Sequence, residues 1–179
     1  MKLTKLMILP IVLIMGACST TYTPDTDQSS SYDFSTVKTF NVIGDVRHNA
    51  SIMNDIDRER INIAITKALT EQGKQEDEVK SSDILISYFI VAKDKIKVNS
   101  NFNGGYGRFG FHGVAGVSHV NVRNYVEGTL VIDAIDNKSQ KTIWRSSLTK
   151  SLKHFETTQE RDEAIKKVVN IMMEQLPNI

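Results

Sequence analysis

The order of the hydrophobic patterns along residues 36–176 constrains the fold more than any other feature of this sequence. Segments of β-branched and aromatic residues, mostly in alternation, predict four strands, at residues 36–43, 84–92, 117–135 and 142–152. Apolar residues at helical spacing predict two helices, at residues 54–72 and 157–176. Asn54 suits the N-cap of the first helix, and Gly73 can end it. The predicted order is therefore β-α-β-β-β-α.

This order predicts an α+β fold, a two-layer sandwich in which a mixed four-stranded sheet has two helices on one face. The first two strands are joined by the first helix and should lie parallel, and the later strands should follow as antiparallel hairpins. In the last hairpin we expect Trp144 in the core and Asp133 either facing solvent or paired with Arg145. Glu127 and Lys150 should lie opposite each other.

The first 17 residues have the pattern of a secretory signal peptide. Two lysines within the first five residues precede an uncharged apolar run over residues 6–15, and two small residues separate this run from Cys18. The run is about half the roughly 20 residues that a spanning helix needs. Residues 15–18, MGAC, resemble a bacterial lipobox, which implies cleavage before Cys18 and lipidation of that residue. An ordinary signal peptide with an incidental cysteine is the alternative.

The residues after the cysteine predict where the protein lies. Ser19 stands where an aspartate would retain a lipoprotein in the inner membrane, so Ser19 favours the outer membrane of a Gram-negative host, with the domain facing the periplasm. Residues 19–31, STTYTPDTDQSSS, are too polar to order themselves and predict a flexible tether that reaches about 40 Å when extended. The predicted units are a signal peptide at 1–17, a lipidated cysteine with its tether at 18–31, and one domain at 32–179.

Charge and cysteine content exclude several functions. Removal of residues 1–17 lowers the Lys and Arg count from 22 to 20 against 21 Asp and Glu, so the mature chain is near −1. No basic stripe stands out, and nucleic acid is therefore not an expected partner. Cys18 is the only cysteine, and its lipidation would leave no disulfide, no thiol nucleophile and no cysteine-ligated metal. The fold must then depend on its hydrophobic core.

Residues 105–110, GYGRFG, match the G-x-G-x-x-G pattern of dinucleotide-binding turns. That motif binds pyrophosphate only where a strand leads into it and a helix opens behind it. Here β-branched residues in alternation follow the motif, and no helix is predicted between residues 110 and 157. We therefore predict no nucleotide binding, and interpret residues 104–116 as the glycine-rich tip of the hairpin between the second and third strands.

Aromatic residues in and beside this tip predict a possible contact site. Its members are Phe102, Tyr106, Arg108, Phe109 and Phe111. Aromatic side chains on a loop supply contact area at low entropic cost, which favours a partner surface. The alternative is that the rings fold back onto the sheet.

Catalytic and metal-binding patterns are not found. The histidines at positions 48, 112, 119 and 154 form no H-x-x-x-H pair, and a metal site needs three or four convergent ligands. No G-x-S-x-G nucleophile elbow occurs. We therefore predict no catalytic residues, no metal and no cofactor.

Several stretches together resemble the domain-of-unknown-function family 4136. They are residues 32–40, 69–73, 81–88, 127–147 and 175–177. The most specific is the G-T-L-x-I-D-x-x-D segment with the W-R that follows it, at residues 128–136 and 144–145. Members of this family are small bacterial lipoproteins. The resemblance implies location in the cell envelope and no established activity, so it provides no catalytic residues.

Two functions remain open. The first is a non-enzymatic interaction or scaffolding lipoprotein, which contacts another envelope protein or a second copy through the loop or through an uncovered face of the sheet. Leu85, Phe89 and Val91 motivate this, since they point away from the other apolar face of the second strand, and a sheet apolar on both sides usually has cover on both. The alternative is a carrier of a small apolar or envelope-derived ligand, held between loop and sheet.

Overall fold

The computed structural model describes residues 22–45, 53–101, 119–151 and 154–177 of the chain. Within these residues the strands are β1 (Asp25–Gln28), β2 (Thr39–Asp45), β3 (Gln75–Glu76), β4 (Ile84–Asn101), β5 (His119–Asp136) and β6 (Lys141–Ser151). The helices are α1 (Asp55–Glu71) and α2 (Thr158–Met173).

The described strands form one mixed sheet in the order β1-β6-β5-β4-β2-β3. β2 and β4 are joined by α1 and lie parallel, with Phe40 paired with Ile84. β4, β5 and β6 follow as antiparallel hairpins. The α+β class, the parallel first pair and the antiparallel hairpins are therefore confirmed.

The predicted number of strands is wrong, because the sheet has six strands rather than four. β3 is only two residues long and pairs with β2. β1 pairs with β6 and lies inside the segment that predicts a tether, so an extended tether is wrong for Asp25–Gln28. All four β1 residues are exposed. Such an edge strand is held by backbone hydrogen bonds to its neighbour, and its polar composition gives no alternation to detect.

Both helices begin at a side-chain cap. The Asp57 backbone N–H donates to the Asn54 Oδ1 at 2.8 Å, which confirms the predicted cap of α1. Gly73 follows α1 with a φ of +84°, in the left-handed region that glycine enters at low cost. At α2, the Glu160 backbone N–H donates to the Thr157 Oγ1 at 3.1 Å.

The core lies between the two helices and one face of the sheet. Alternate residues of the central strands contribute to it, at positions 84, 86 and 88 of β4 and 130, 132 and 134 of β5. From the helices, Ile65 of α1 and Met172 of α2 are fully buried. Trp144 is 1% exposed, which confirms its predicted core position.

The opposite face of β4 is not an open apolar surface. Leu85 and Phe89 are each 5% exposed, and the neighbouring Val131 of β5 is 8% exposed. These three residues lie outside the core cluster that includes both helices. Val91, the third residue of the predicted face, is half-buried, so Leu85, Phe89 and Val91 do not form an open apolar surface.

Asp83 holds the start of β4 against the start of β2. The backbone N–H groups of Lys38 and Thr39 both donate to its Oδ2 at 2.9 Å, and the Thr39 hydroxyl donates at 3.1 Å. Desolvation on its own would raise the pKa of this carboxyl group, but the hydrogen bonds hold the pKa below the ordinary value of 3.8.

Asp83→Asn is expected to reduce stability at neutral pH and to change its dependence on acid. A lowered folded pKa contributes stability above the unfolded pKa, and that contribution is lost as pH falls through the folded value. The difference in unfolding free energy between wild type and variant should therefore shrink below about pH 4. Urea unfolding between pH 7 and pH 3, followed by Trp144 fluorescence, measures it. A difference that stays constant over this range contradicts the prediction.

A candidate ligand pocket and a projecting arm

A pocket of about 230 Å³ lies between the first turns of the two helices and the sheet. Its apolar lining includes Ile90, Leu130 and Leu148 from the sheet and Ile61, Ile165 and Val168 from the helices. An apolar cavity of about 150 Å³ can hold benzene, whereas pockets for drug-sized ligands span roughly 300–1,000 Å³. This pocket is therefore suited to one slender part of a ligand.

The pocket forms because α2 packs unevenly along its length. The buried residues of α2 are Val169, Met172 and Met173, all in its second half. In its first half, Ala164 and Ile165 are only half-buried and both line the pocket. The small Ala164 side chain leaves space between α2 and the sheet, and the core closes only towards the end of the helix.

A network of ion pairs closes the helix side of this pocket. Asp57 of α1 is buried, with a side chain 8% exposed, and Arg161 of α2 binds both of its carboxylate oxygens. The Nη1 of Arg60 donates to the same carboxylate at 3.0 Å, and its Nε contacts Asp162. Two arginines and two aspartates balance, so the network is neutral and joins α1 to α2 across 104 residues of sequence.

Two lysines lie beside the Tyr22 ring, and one of them, Lys150, belongs to the lining of the pocket. The Nζ of Lys150 lies 4.7 Å from the centre of the Tyr22 ring. The Nζ of Lys167 lies 5.9 Å from the same ring. In the part of the chain that the structure describes, neither ammonium group has a carboxylate oxygen within 4.0 Å. The mouth therefore carries a net positive charge that the ring offsets only partly.

β4 and β5 extend beyond the rest of the sheet as a two-stranded arm. They pair along their full length, whereas β6 stops at Ser151 opposite Glu127 and β2 pairs no further than Tyr88. Residues 94–101 and 119–126, here called the arm, project by roughly 26 Å at about 3.3 Å per residue. Among the described residues, no third strand pairs with either side of the arm.

The arm has one mainly apolar face and one charged face. On the apolar face Ile96 is 69% exposed and Val126 is 38% exposed. Asp94 pairs with Val126 on this same face and is also exposed, so a charge lies among the apolar side chains. On the charged face at the base of the arm, Lys95 pairs with Glu127 at 3.9 Å. Ile90, which lines the pocket, lies on the mainly apolar side of β4, with Asp94 between it and Ile96.

Tyr125 belongs to the charged face and has a perturbed acidity. Its hydroxyl donates to the Glu127 Oε1 at 3.2 Å. Desolvation and the neighbouring Glu127 carboxylate raise the pKa of this phenol above its ordinary value. The hydroxyl therefore stays protonated at neutral pH and remains a donor.

Most of the residues proposed from sequence as a site lie outside the described residues. These are Cys18, Phe102, Tyr106, Arg108, Phe109 and Phe111. Lipidation and the contact loop therefore remain predictions. Among the described residues, no group of three or more His, Cys, Asp or Glu side chains is placed to hold a metal ion. The helices in this part of the chain are too short or too polar to cross a membrane.

The last hairpin confirms one predicted pair and corrects another. Arg145 donates to both carboxylate oxygens of Asp133, at 2.6 and 2.7 Å, so the solvent-facing alternative for Asp133 is wrong. Glu127 lies opposite Ser151 rather than Lys150. A bulge between Ala134 and Ile135 shifts the register by one residue, and this irregularity has no signal in the alternation.

The described residues form a small α+β domain. Residues 24–178 match the family model described as a domain of unknown function, DUF4136. The chain belongs to this family, and the resemblance found in the sequence is confirmed. No curated protein matches the sequence.

Solved structures that resemble this chain do so at low sequence identity. A PDZ domain protein from Parabacteroides distasonis has a TM-score of 0.54 and 19% identity, and the match covers 88% of this chain. The match spans only 36% of that longer protein, so it bears on the fold alone. A PelC dodecamer from Paraburkholderia phytofirmans is more distant, with a TM-score of 0.41, 11% identity and coverage of 84% of this chain and 98% of that one.

A minor lipoprotein from Acinetobacter baumannii is more distant again. Its TM-score is 0.36 at 10% identity, with coverage of 78% of this chain and 89% of that one. At these scores, neither this protein nor the PelC dodecamer informs the function of the chain.

Proposed function

We propose that this chain is a non-enzymatic lipoprotein of the cell envelope with an interaction or scaffolding role. Cys18 carries the lipid that holds it to the outer membrane, and the domain faces the periplasm. Membership of the family and the signal-peptide pattern of residues 1–17 support this location. The observation that carries the interaction role is the arm.

The arm has the physical properties of a contact element. An isolated two-stranded ribbon is marginally stable in water, and an unpaired strand edge can accept a further strand from a partner. Ile96 is the most exposed large apolar side chain of the described residues, and it lies on the same face as Val126. Lys93 and Lys95 on the charged side disfavour indiscriminate pairing along the edge. The partner is an envelope protein or a second copy of this chain that covers the apolar face.

A photo-crosslinking amino acid at position 96 or 126 of the lipidated protein, in its own cells, tests this role. We expect both positions to give the same discrete protein adduct, identified by mass spectrometry. Position 63 is the matched control, because Ile63 is 61% exposed but lies on α1, away from the arm. Identical products from all three positions, or adducts to lipid alone, would contradict a protein partner at the arm.

The predicted contact loop is tested in the same cells. Replacement of residues 103–113 by a Gly/Ser linker should weaken the adduct at position 96 if the aromatic residues of the loop belong to the contact. An unchanged adduct would restrict the contact to the described arm.

A second candidate function is that of a carrier for a small apolar or envelope-derived ligand. The pocket favours it, although the pocket lies between helices and sheet rather than between loop and sheet. Native mass spectrometry of the protein purified from its own membrane should reveal a bound adduct. Repeated absence of any adduct would exclude this function.

A further inference from the structure

We infer that the pocket binds the acyl chain of a fatty acid, with the fatty-acid carboxylate held at its mouth by Lys150, in the field of Lys167. This inference rests on the second candidate function and is independent of the arm as a protein contact. Three properties of the described residues carry it: the shape of the pocket, the charge at its mouth and the apolar surface beyond it.

The volume of the pocket selects a single chain. About 230 Å³ equals roughly eight water volumes of about 30 Å³ each, and a methylene group is of similar size. The pocket therefore takes about eight carbons of one acyl chain. A second chain has no room beside the first, because Ile61, Leu130 and Ile165 bound the space from three elements.

The charges at the mouth select an anionic head group. Asp57 and Arg161 also line the pocket, but they bind each other within the neutral network described above. The positive charge that remains in the lining belongs to Lys150, and the ammonium group of Lys167 lies near the same Tyr22 ring. A carboxylate at Lys150 would receive a charge-assisted hydrogen bond from it and lie in the field of Lys167, whereas a neutral lipid would leave both charges unmatched.

The arm provides a surface for the part of the chain that the pocket cannot hold. Ile90 lines the pocket, and Val126 and Ile96 continue on the same side of the ribbon. Both of these residues are exposed, so contact with a lipid chain would remove apolar surface from water. A chain longer than about eight carbons therefore meets these two apolar side chains beyond the pocket, past the carboxylate of Asp94.

The acyl chain on Cys18 is a competing occupant, since that residue lies only four positions before Tyr22. The lysine pair argues against it. An acylated amine is a neutral amide, and a thioether-linked glyceride has no charge, so neither group would use the two ammonium groups. We therefore assign the site to a free fatty acid and treat the anchor as an outcome of the test.

The probe is palmitic acid with a diazirine in its chain and a terminal alkyne, added to isolated membranes that contain the full-length lipidated protein. We expect labelled peptides from the pocket, around Leu130, Leu148 and Ile165. The methyl ester of the same probe has the chain but no charge, and it should label at least about tenfold less. Equal labelling by acid and ester would overturn the role of the lysines.

Variants separate the contribution of the two lysines from that of the pocket volume. Lys150→Gln with Lys167→Gln should reduce labelling by about tenfold, while the matched pair Lys138→Gln with Lys166→Gln should leave it unchanged. Ala164→Leu should fill the pocket and abolish labelling with both mouth lysines intact. The urea midpoint of each variant shows whether its fold is retained. Unchanged labelling in the Lys150/Lys167 pair, or labelled peptides from the arm alone, would overturn the proposal.

Three further outcomes distinguish the ligand class from the carrier function. A neutral adduct in native mass spectrometry, with no fatty-acid labelling, would retain the carrier function and exclude a fatty acid. A Cys18→Ser variant, exported through an ordinary signal peptide, carries no lipid. Labelling that appears only in this variant would show that the acyl chain on Cys18 fills the pocket in the lipidated protein, and it would also overturn the proposal. No adduct and no labelling would exclude both the ligand and the carrier function.

Discussion

Asp57→Asn is expected to lower the free energy of unfolding by about 3 kcal/mol, near the lower end of the range for breaking a buried ion pair. The substitution removes the charge that balances Arg161 and Arg60 and places amide hydrogens against their donors. The cost stays near that lower end because the Arg161 side chain is 41% exposed and water can solvate it. Urea unfolding at pH 7, followed by the fluorescence of Trp144, measures the loss.

Asp55→Asn is the matched control for this prediction. Asp55 lies in the same first turn of α1 and pairs with Arg58 at 2.7 Å, but its side chain is 98% exposed. Both substitutions remove one negative charge near the N-terminus of α1, so their effects on the helix dipole are similar. The control should cost less than about 1 kcal/mol. Equal losses in the two variants would show that the Asp57 network does not stabilise the junction of the helices.

Ile132→Ala should lower the free energy of unfolding by about 3–4 kcal/mol. Ile132 is fully buried on the helix-facing side of β5, and truncation leaves a cavity that a packed sheet cannot close. Ile96→Ala is its matched control, because the same residue type on the arm is 69% exposed and should cost less than about 0.5 kcal/mol. Urea unfolding compares the two. A loss at Ile96 as large as that at Ile132 would mean that another part of the chain covers the arm.

The parts of the fold that the sequence predicts are those whose side chains are buried with a period. β4, β5, β6 and both helices bury alternate or helically spaced residues, and their order follows from this pattern. β1 and β3 are exposed and join the sheet only by backbone pairing, so periodicity cannot reveal them. The arm had a weak signal, since Ile96 and Val98 alternate with lysines beyond the predicted end of the second strand.

The pocket could not be predicted, because its parts come together only in three dimensions. Asp57 and Arg161 meet across 104 residues, and nothing in either local sequence indicates the other. Lys150 reaches the pocket in a register that depends on the bulge between Ala134 and Ile135. The aromatic loop and Cys18 had strong sequence signals and remain predictions.

The pairing of β1 with β6 limits how far the domain can stand from its proposed anchor. Tyr22 already packs against the core, so three residues rather than thirteen separate Cys18 from the folded domain. At roughly 3.3 Å per residue, the maximum reach falls from about 40 Å to about 10 Å. The hemisphere available to the domain shrinks by roughly sixtyfold, and its effective concentration at the bilayer surface rises by a similar factor. Lys150 of the pocket lining, beside Tyr22, would then meet membrane lipid at a high local concentration. A site with weak affinity for fatty acid would therefore still be filled.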